Sequence, residues 1–300
     1  MEERKTIYLC LAHMSETGEE QKYVKEAFDT NWVVPLGPNV NGFEDDLKAF
    51  VSKNSDGSEL SREVVALSAG TAAVHLGLLA SGVGPGDEVC VQSFTFCASS
   101  HPITYLGATP VFIDSEPDSW NMDPELLEKA IIDRKEKTGK YPKAIVPVAL
   151  YGMPYDCDKI MAISEKYGIP VVEDAAEGCG SRWKGQVLGT FGKFGVLSFN
   201  GNKMITTSGG GALICQDAES KNNVMWYATQ ARDAYPYYQH TAIGYNYRMS
   251  NVCAGIGRGQ MTVLEDHIAH HKHVQELYKE LLTDVEGVTF HEAPNADYDS

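Results

Sequence analysis

The sequence lacks three features that would each have indicated a different class of protein. No apolar run approaches the roughly 20 residues that a membrane-spanning helix needs, so no membrane protein is expected. The seven cysteines include no C-x-x-C pair, which argues against structural zinc and favours reduced thiols in a cytoplasmic protein. Basic residues are scarce, with 25 Lys and Arg against 41 Asp and Glu, and the net charge of −16 argues against nonspecific nucleic-acid binding.

Common nucleotide-binding, metal-binding and targeting motifs are missing as well. The glycine triplets within residues 189–195 and 255–259 do not match G-x-G-x-x-G, and no P-loop is present. Four histidines cluster between His267 and His273 without an H-E-x-x-H pattern, so a solvated helix surface is favoured over a metal site. The charged N-terminal residues 1–5 lead into an interrupted apolar stretch, so a signal peptide is not expected.

Short strand-like runs alternate with helix-like runs between residue 60 and about residue 215. Residues 63–67 read as a strand, and the continuous apolar run 144–150 predicts a strand buried on both sides. This alternation predicts an α/β fold with a mostly parallel sheet covered by helices on both faces. After about residue 244 the pattern predicts one long helix through residues 264–281 and then a strand at residues 286–290.

A lone lysine, Lys203, stands in the segment that is most indicative of chemistry. It follows a predicted strand, lies in a turn and precedes the three glycines 209–211. Three glycines let the backbone pass close to a bulky group, and a lysine held beside a cofactor can form a Schiff base with an aldehyde. The ordinary alternative is a solvated lysine in a turn.

Two further segments place polar groups at the ends of predicted strands. Asp174 ends an apolar strand, where open α/β sheets bind ligands, and its carboxylate can face the ring nitrogen of a pyridoxal group. The alternative is an N-cap of the next helix. Gly70 and Thr71 lead from a strand into a helix, where free N–H groups and the Thr71 hydroxyl suit a phosphate. Close packing of small residues is the competing explanation there.

Together the three segments supply a phosphate cradle, a partner for a ring nitrogen and an amine nucleophile, and the sequence resembles the DegT/DnrJ/EryC1/StrS family of sugar aminotransferases. Residues 200–203, 206–211 and 229–232 are similar to the UDP-N-acetylbacillosamine-type branch, and residues 244–248 to the whole family. The resemblance implies a fold-type I transferase dependent on pyridoxal phosphate. Residues 1–245 would form its large cofactor-binding domain, and residues 246–300 the start of an incomplete small α+β domain.

The resemblance also implies a role for each matching residue. Lys203 and Asp174 would be the catalytic residues, with Lys203 forming the Schiff base and Asp174 pairing with the ring nitrogen. The residues that bind pyridoxal 5′-phosphate would be Gly70, Thr71, Phe96, Asp174, Glu177, Ser198, Lys203 and Asn246. Phe96 would stack on the ring, and Asn246 would reach the phosphate from a neighbouring subunit. The residues that meet the sugar would be Asn31, Trp32, Val33 and Val34. No metal is expected.

The function implied by the resemblance is transfer of an amino group from L-glutamate, which leaves as 2-oxoglutarate. The acceptor would be the 4-keto carbon of a UDP-2-acetamido-2,6-dideoxy sugar, in the biosynthesis of surface glycans, and the enzyme a homodimer with shared sites. The alternatives are a 3-keto nucleotide-sugar aminotransferase of the family and an inactive or regulatory cofactor-binding relative. Related dehydratases carry histidine in place of the lysine, so Lys203 argues against that activity, and the glycine pattern argues against a nicotinamide oxidoreductase.

Overall fold

A computed structural model of the protein describes residue 6 and residues 12–300. Cys10 and most of the segment that bears on a signal peptide lie outside these residues. The described residues form ten strands: β1 (Glu63–Leu67), β2 (Glu88–Gln92), β3 (Thr109–Ile113), β4 (Ala144–Val146), β5 (Val172–Asp174), β6 (Arg182–Trp183), β7 (Gln186–Val187), β8 (Phe194–Ser198), β9 (Gly211–Cys215) and β10 (Tyr298–Asp299).

The α-helices of the described residues are α1 (Glu19–Asp29), α2 (Pro38–Val51), α3 (Gly70–Ala80), α4 (His101–Tyr105), α5 (Pro124–Thr138), α6 (Cys157–Tyr167), α7 (Ala218–Ala228), α8 (Asn251–Met261) and α9 (Leu264–Leu282). The last of these confirms the predicted long helix. None of these helices combines the length and the apolar character needed to cross a bilayer.

Seven strands form one mixed sheet in the order β1-β9-β8-β5-β4-β2-β3. Parallel bridges from Ile145 to Val171 and from Val148 to Asp174 join β4 to β5 and so connect the two ladders. Strand β9 is antiparallel to β1 and β8, whereas the other neighbours are parallel. Six strands therefore end at the same edge of the sheet, which confirms the predicted mostly parallel sheet.

Successive strand residues face two separate hydrophobic cores, because side chains alternate between the faces of a sheet. In β1, Val64 and Ala66 belong to the core that α2, α5, α6 and α8 cover. Val65 and Leu67 belong to the other core, which α3, α4 and α7 cover. This arrangement confirms the prediction of helices on both faces, and it leaves the edges of the sheet as the places where a ligand can approach the strand ends.

Two predicted strands differ from the structure. The run at residues 144–150 is a strand only as far as Val146, because Pro147 has no N–H to donate to a neighbouring strand. The chain then enters a 3-10 turn at Leu150–Gly152. Residues 286–290 form no strand, since Gly287 adopts a φ of 84°, which breaks an extended run. Strand β10, further along, pairs with β6 instead.

Helix α8 packs closely against α1 and α2 through the second glycine triplet. A Cβ on Gly259 would lie 2.4 Å from the backbone nitrogen of Glu20, and one on Gly257 would lie 2.7 Å from the ring of Phe43. These glycines therefore permit helix packing. The division of the chain into domains at residue 245 stays a prediction.

Candidate active site

A cavity of about 350 Å³ opens where the carboxyl ends of β1, β5 and β8 meet. Seven of the eight residues predicted to bind a cofactor line it: Gly70, Thr71, Phe96, Asp174, Glu177, Ser198 and Lys203. The exception is Asn246, and the four predicted sugar-binding residues also lie outside its lining. The fold thus brings together residues from four separate regions of the chain, because parallel strands end at a common edge.

Lys203 lies in the turn between β8 and β9, and neighbouring elements hold this turn on both sides. The N–H of Lys203 donates to the carbonyl of Asn200 at 3.0 Å. Gln260 in α8 accepts from the N–H of Thr206 at 3.2 Å, and Nδ1 of His267 in α9 donates to the carbonyl of Met204 at 3.1 Å. The Lys203 side chain is 18% exposed. The lysine is therefore a partly buried group in a fixed position rather than a solvated turn residue.

Glu177 links Lys203 to the neighbouring turn. One carboxylate oxygen lies 3.4 Å from Nζ of Lys203, and the other accepts from the N–H of Tyr151 at 2.7 Å. Tyr151 adopts a φ of 53°, in the left-handed region that few aromatic residues occupy. The glutamate therefore holds both the amine of Lys203 and a strained backbone segment beside the cavity.

Asp174 is buried at the end of β5, with 5% of its surface exposed. Burial raises the pKa of this carboxyl group, while hydrogen bonds from Ser99 and from the N–H of Ala176, together with the charge of Lys203, lower it. The Ser99 hydroxyl donates at 2.6 Å, and its own oxygen lies 2.7 Å from the hydroxyl of Thr95. A carboxylate with these partners can sit opposite a cationic ring nitrogen.

The N-terminus of α3 forms the third wall of the cavity. The helix begins at Gly70 after Ala69, and no side chain caps it, so its first N–H groups are available to an anion. A Cβ on Gly70 would lie 2.9 Å from Cβ of Ser198, and one on Gly211 would lie 2.4 Å from the nitrogen of Gly70. Glycine at residues 70 and 211 is thus required for close packing at the start of α3, which was the alternative explanation for the small residues there. The same packing leaves the first N–H groups of α3 available.

The remaining predicted residues lie elsewhere. Asn246 is exposed and forms an antiparallel bridge with Thr229. The loop of residues 31–34 is held against the start of α8, where the Asn251 side chain donates to the carbonyl of Trp32 at 2.9 Å. The Trp32 side chain and both following valines are exposed. The cavity of this chain thus forms without Asn246 or the loop.

Three residues that contribute to the site were not found from the sequence: Ser99, Tyr151 and Gln260. Gln260 is fully buried, and its amide also donates to the carboxylate of Glu20 at 2.7 Å. A polar residue among the small residues of α8 is the signal that could have found it. Ser99 and Tyr151 gave no signal, because their positions depend on how the loops after β2 and β4 fold.

A second cavity of about 460 Å³ adjoins the first and shares Glu177, Asn202 and Lys203 with it. Its far wall is α9, which contributes His271 and Lys272. Burial lowers the pKa of His271, as do the neighbouring histidines. Across the described part of the chain, no group of three histidines, cysteines or carboxylates could hold a metal ion.

The residues of the first cavity fit pyridoxal 5′-phosphate. Its aldehyde, its ring nitrogen and its phosphate each require a different partner, and the cavity offers the amine of Lys203, the buried carboxylate of Asp174 and the uncapped start of α3. A Cβ atom on Gly70 would collide with Ser198, and one on Gly211 would collide with the backbone of Gly70. The phosphate cradle therefore requires glycine at both positions.

The family model for the DegT/DnrJ/EryC1/StrS aminotransferase family matches residues 14–299. EpsN of Bacillus subtilis, which is named as a pyridoxal phosphate-dependent aminotransferase, is 47% identical over 286 residues. That match covers 95% of this chain and 71% of EpsN. A crystal structure of a DegT DnrJ EryC1 StrS aminotransferase from Brucella abortus matches with a TM-score of 0.85 at 31% identity, over 95% of this chain and 73% of that one.

Two further relatives have names that specify a sugar. GDP-perosamine synthase of Escherichia coli O157:H7 is 37% identical over 272 residues, which cover 91% of this chain and 71% of the relative. UDP-2-acetamido-2-deoxy-3-oxo-D-glucuronate aminotransferase of Pseudomonas aeruginosa is 36% identical over 244 residues, 81% of this chain and 63% of the relative. These names include both GDP-linked and UDP-linked sugars.

Proposed function

The chain belongs to the DegT/DnrJ/EryC1/StrS aminotransferase family, and from that premise we propose that it transfers an amino group from glutamate to a keto carbon of a nucleotide sugar. At the level of the family, the predicted enzyme class and the predicted cofactor, pyridoxal 5′-phosphate, are confirmed. The observation that carries the proposal is one cavity that holds the amine of Lys203, the buried carboxylate of Asp174 and the uncapped N-terminus of α3.

Each side chain of the cavity has a separate task in this reaction. When bound, pyridoxal 5′-phosphate supplies an aldehyde and a ring that accepts electrons. The N–H groups of Gly70 and Thr71 and the hydroxyl of Ser198 would hold the phosphate. Asp174 would keep its negative charge opposite the ring nitrogen, supported by the hydrogen bond from Ser99. Phe96, which is 72% exposed at the opening, would cover the ring and exclude water.

Lys203 would act as nucleophile and then as general acid and base. Its Nζ would take a proton from Cα of glutamate and release a proton when the second substrate is aminated. Glu177 lies 3.4 Å from this nitrogen and would keep the free amine inside the cavity between these steps. Glutamate would leave as 2-oxoglutarate, and the ketone of the sugar would become an amine.

We assign the ketone to C4 of a UDP-2-acetamido-2,6-dideoxy sugar. The support is the resemblance of residues 200–203, 206–211 and 229–232 to the UDP-N-acetylbacillosamine-type branch. A 3-keto nucleotide sugar is the second candidate, because the name of the Pseudomonas relative specifies a 3-oxo sugar. Purified 4-keto and 3-keto sugars, each linked to UDP or GDP, would distinguish the candidates.

We also propose a homodimer with shared sites. Asn246 is exposed and outside the cavity of its own chain, as expected for a residue that reaches the phosphate in a neighbouring subunit. Four exposed apolar side chains stand on the adjoining segment and would be covered in such a dimer: Tyr235, Tyr237, Tyr238 and Ile243.

The visible absorbance of the protein loaded with pyridoxal 5′-phosphate tests the proposed function. We expect glutamate to convert the visible band, and a suitable keto sugar nucleotide to restore it. Lys203→Ala should lower the rate of the glutamate half-reaction about a thousandfold or more, because the nucleophile and the base are the same group. Lys140→Ala, a change of an exposed lysine, is the control and should leave the rate unchanged.

Two results would contradict the proposed function. If glutamate leaves the band of the wild-type protein unchanged, the chain is a cofactor-binding relative without this activity. Borohydride reduction followed by mass spectrometry locates the lysine that is bound to the cofactor. If Lys203→Ala still gives the same trapped adduct, the role of Lys203 is wrong.

A further inference from the structure

Three exposed aromatic side chains lie next to one another beside the active site. Phe94, Trp120 and Tyr151 are 45%, 40% and 72% exposed. The ring centroid of Phe94 lies 6.3 Å from that of Trp120 and 6.2 Å from that of Tyr151. We call these three residues the aromatic platform. Contiguous exposed apolar surface of this kind commonly marks a binding site.

A buried pair of amide side chains positions the aromatic platform. Gln92 and Asn121 are fully buried, and Nε2 of Gln92 donates to Oδ1 of Asn121 at 3.1 Å. The same nitrogen donates to the carbonyl of Phe94 at 2.9 Å, while Asn121 is the residue that follows Trp120. The N–H of Leu150, which precedes Tyr151, donates to Asn121 at 3.1 Å. The buried pair of Gln92 and Asn121 therefore fixes the three segments that carry the rings of the aromatic platform.

Two residues of the platform have strained backbones. The φ of Trp120 is 63° and that of Tyr151 is 53°. Large aromatic residues rarely adopt this left-handed conformation, and such strain is concentrated at functional sites. Nothing in the hydrophobic cores requires it, because both side chains are exposed and belong to neither core. The buried pair thus maintains a strained arrangement that presents rings outward.

The aromatic platform is close to the reacting groups. The N–H of Tyr151 donates to Glu177, whose other oxygen lies 3.4 Å from Nζ of Lys203. Phe94 is next to Thr95, which lines the cavity. The ring of Phe94 lies within 6.3 Å of both other rings, and Tyr151 connects the platform through Glu177 to the amine of Lys203. An elongated ligand with one end at Lys203 can therefore place an aromatic group at its other end on the platform.

Trp120 already accepts a flat heteroaromatic ring. The imidazole of His291 stacks on its indole with 3.9 Å between centroids and 15° between planes. Nε2 of this imidazole is buried and has no hydrogen-bond partner among the described residues. The stacked geometry is the one that a nucleobase adopts on an aromatic side chain. The platform therefore has the shape for a planar base.

We propose that the aromatic platform binds the base of the nucleotide sugar by stacking. The proposal rests on the proposed function, which requires a nucleotide sugar with its ketone at Lys203. The base would replace the imidazole of His291 on Trp120 and lie beside Phe94, and Tyr151 would lie beside the intervening part of the ligand. Stacking on aromatic rings is tolerant of base identity, so the platform would supply affinity rather than choose between uracil and guanine.

Calorimetric titration of the cofactor-loaded protein with UDP and with GDP tests the platform. We expect Trp120→Leu to weaken binding of the nucleotide about tenfold, because leucine is apolar but cannot stack, and Trp120→Phe to retain most of the affinity. Phe94→Leu is a second variant at a position without backbone strain and should weaken binding in the same direction. Tyr141→Leu changes an equally exposed aromatic residue outside the platform and should have no effect.

The outcomes separate this proposal from the proposed function. The glutamate half-reaction involves no nucleotide, so Trp120→Leu should convert the visible band at the wild-type rate. A protein that binds UDP or GDP through Trp120 but does not respond to glutamate would refute the proposed function alone. The platform proposal is refuted if wild-type protein binds neither nucleotide, or if both leucine variants bind as tightly as wild type. It is also refuted if Trp120→Leu dissociates an oligomer, because the platform would then be a subunit contact.

Discussion

Asp174 shows how a single residue of the site can oppose the stability of the fold. Its carboxyl group is buried, and burial disfavours the charged form that the proposed reaction needs. Ser99, Ala176 and Lys203 offset part of this cost through hydrogen bonds and charge. Without a cation at the ring-nitrogen position, the cost is incompletely offset, since burial is the largest of these effects.

We therefore expect Asp174→Asn to stabilise the cofactor-free protein at neutral pH while abolishing amino transfer. The pKa of Asp174 is raised on folding, so the native state binds the proton more tightly than the unfolded state. The cost is absent below the ordinary pKa of an aspartate, grows as the pH rises, and is complete above the raised pKa. We expect a gain of roughly 1 kcal/mol in the free energy of unfolding at pH 8 that shrinks towards pH 4.5.

Urea unfolding of the cofactor-free protein at both pH values measures this gain. Asp45→Asn changes an exposed carboxylate in α2 and should shift the free energy by less than about 0.5 kcal/mol. A loss of stability at pH 8 in Asp174→Asn would show that the contacts with Ser99 and Lys203 outweigh burial.

At the scale of elements, the contacts of α8 with α1 and α2 support the turn that carries Lys203. Gln260 at the end of α8 bonds both to that turn and to Glu20 of α1, so the position of the turn depends on how closely the two helices approach. Gly259, next to Gln260, permits this approach because it has no side chain.

Gly259→Ala should destabilise the protein by roughly 2 kcal/mol in urea unfolding, even though alanine is the better helix former. Its Cβ would meet the backbone of Glu20, which cannot move without displacing α1. Gly42→Ala in α2 is the matched control, because its Cβ would meet only the flexible end of Arg258. Equal losses of stability in the two variants would mean that the contact between Gly259 and Glu20 does not determine how closely α8 and α1 pack.

The elements were predictable where local pattern decides the structure. The apolar run of β1 predicted a strand that the structure contains, and short motifs singled out Lys203 and Asp174, which line the same cavity. Contacts that depend on the whole fold were not predictable. Two examples are the hydrogen bond from the Ser99 hydroxyl to Asp174 and the hydrogen bond from the N–H of Tyr151 to the carboxylate of Glu177. The strand predicted beyond Val146 is wrong for a local reason. The prediction followed the apolar pattern and neglected Pro147, which has no N–H to donate to a neighbouring strand.

At the scale of the whole molecule, the proposed dimer predicts that two inactive variants restore each other. In Lys203→Ala the amine is missing, and in Asn246→Ala the contact that we assign to the neighbouring subunit is missing. A mixed dimer would contain one site with both residues intact. Unfolding and refolding an equal mixture should therefore recover about one quarter of the wild-type activity, as random pairing of subunits requires.

Activity of the refolded mixture, measured against each variant refolded alone, checks this prediction. Sedimentation velocity should show dimers in all three samples. If the mixture recovers nothing while both variants are dimers, Asn246 does not act in the neighbouring site.

The position of β9 has a consequence for the order in which the molecule is built during synthesis. This strand fills the space between β1 and β8, and its first residue, Gly211, lies against the start of α3. A nascent chain that has emerged only as far as Lys203 would expose unpaired edges on both β1 and β8, and Gly211 would not yet pack against the start of α3 beside the phosphate cradle. We infer that the growing polypeptide cannot retain pyridoxal 5′-phosphate until residue 215 has left the ribosome, and that chaperones meet it with these two edges open.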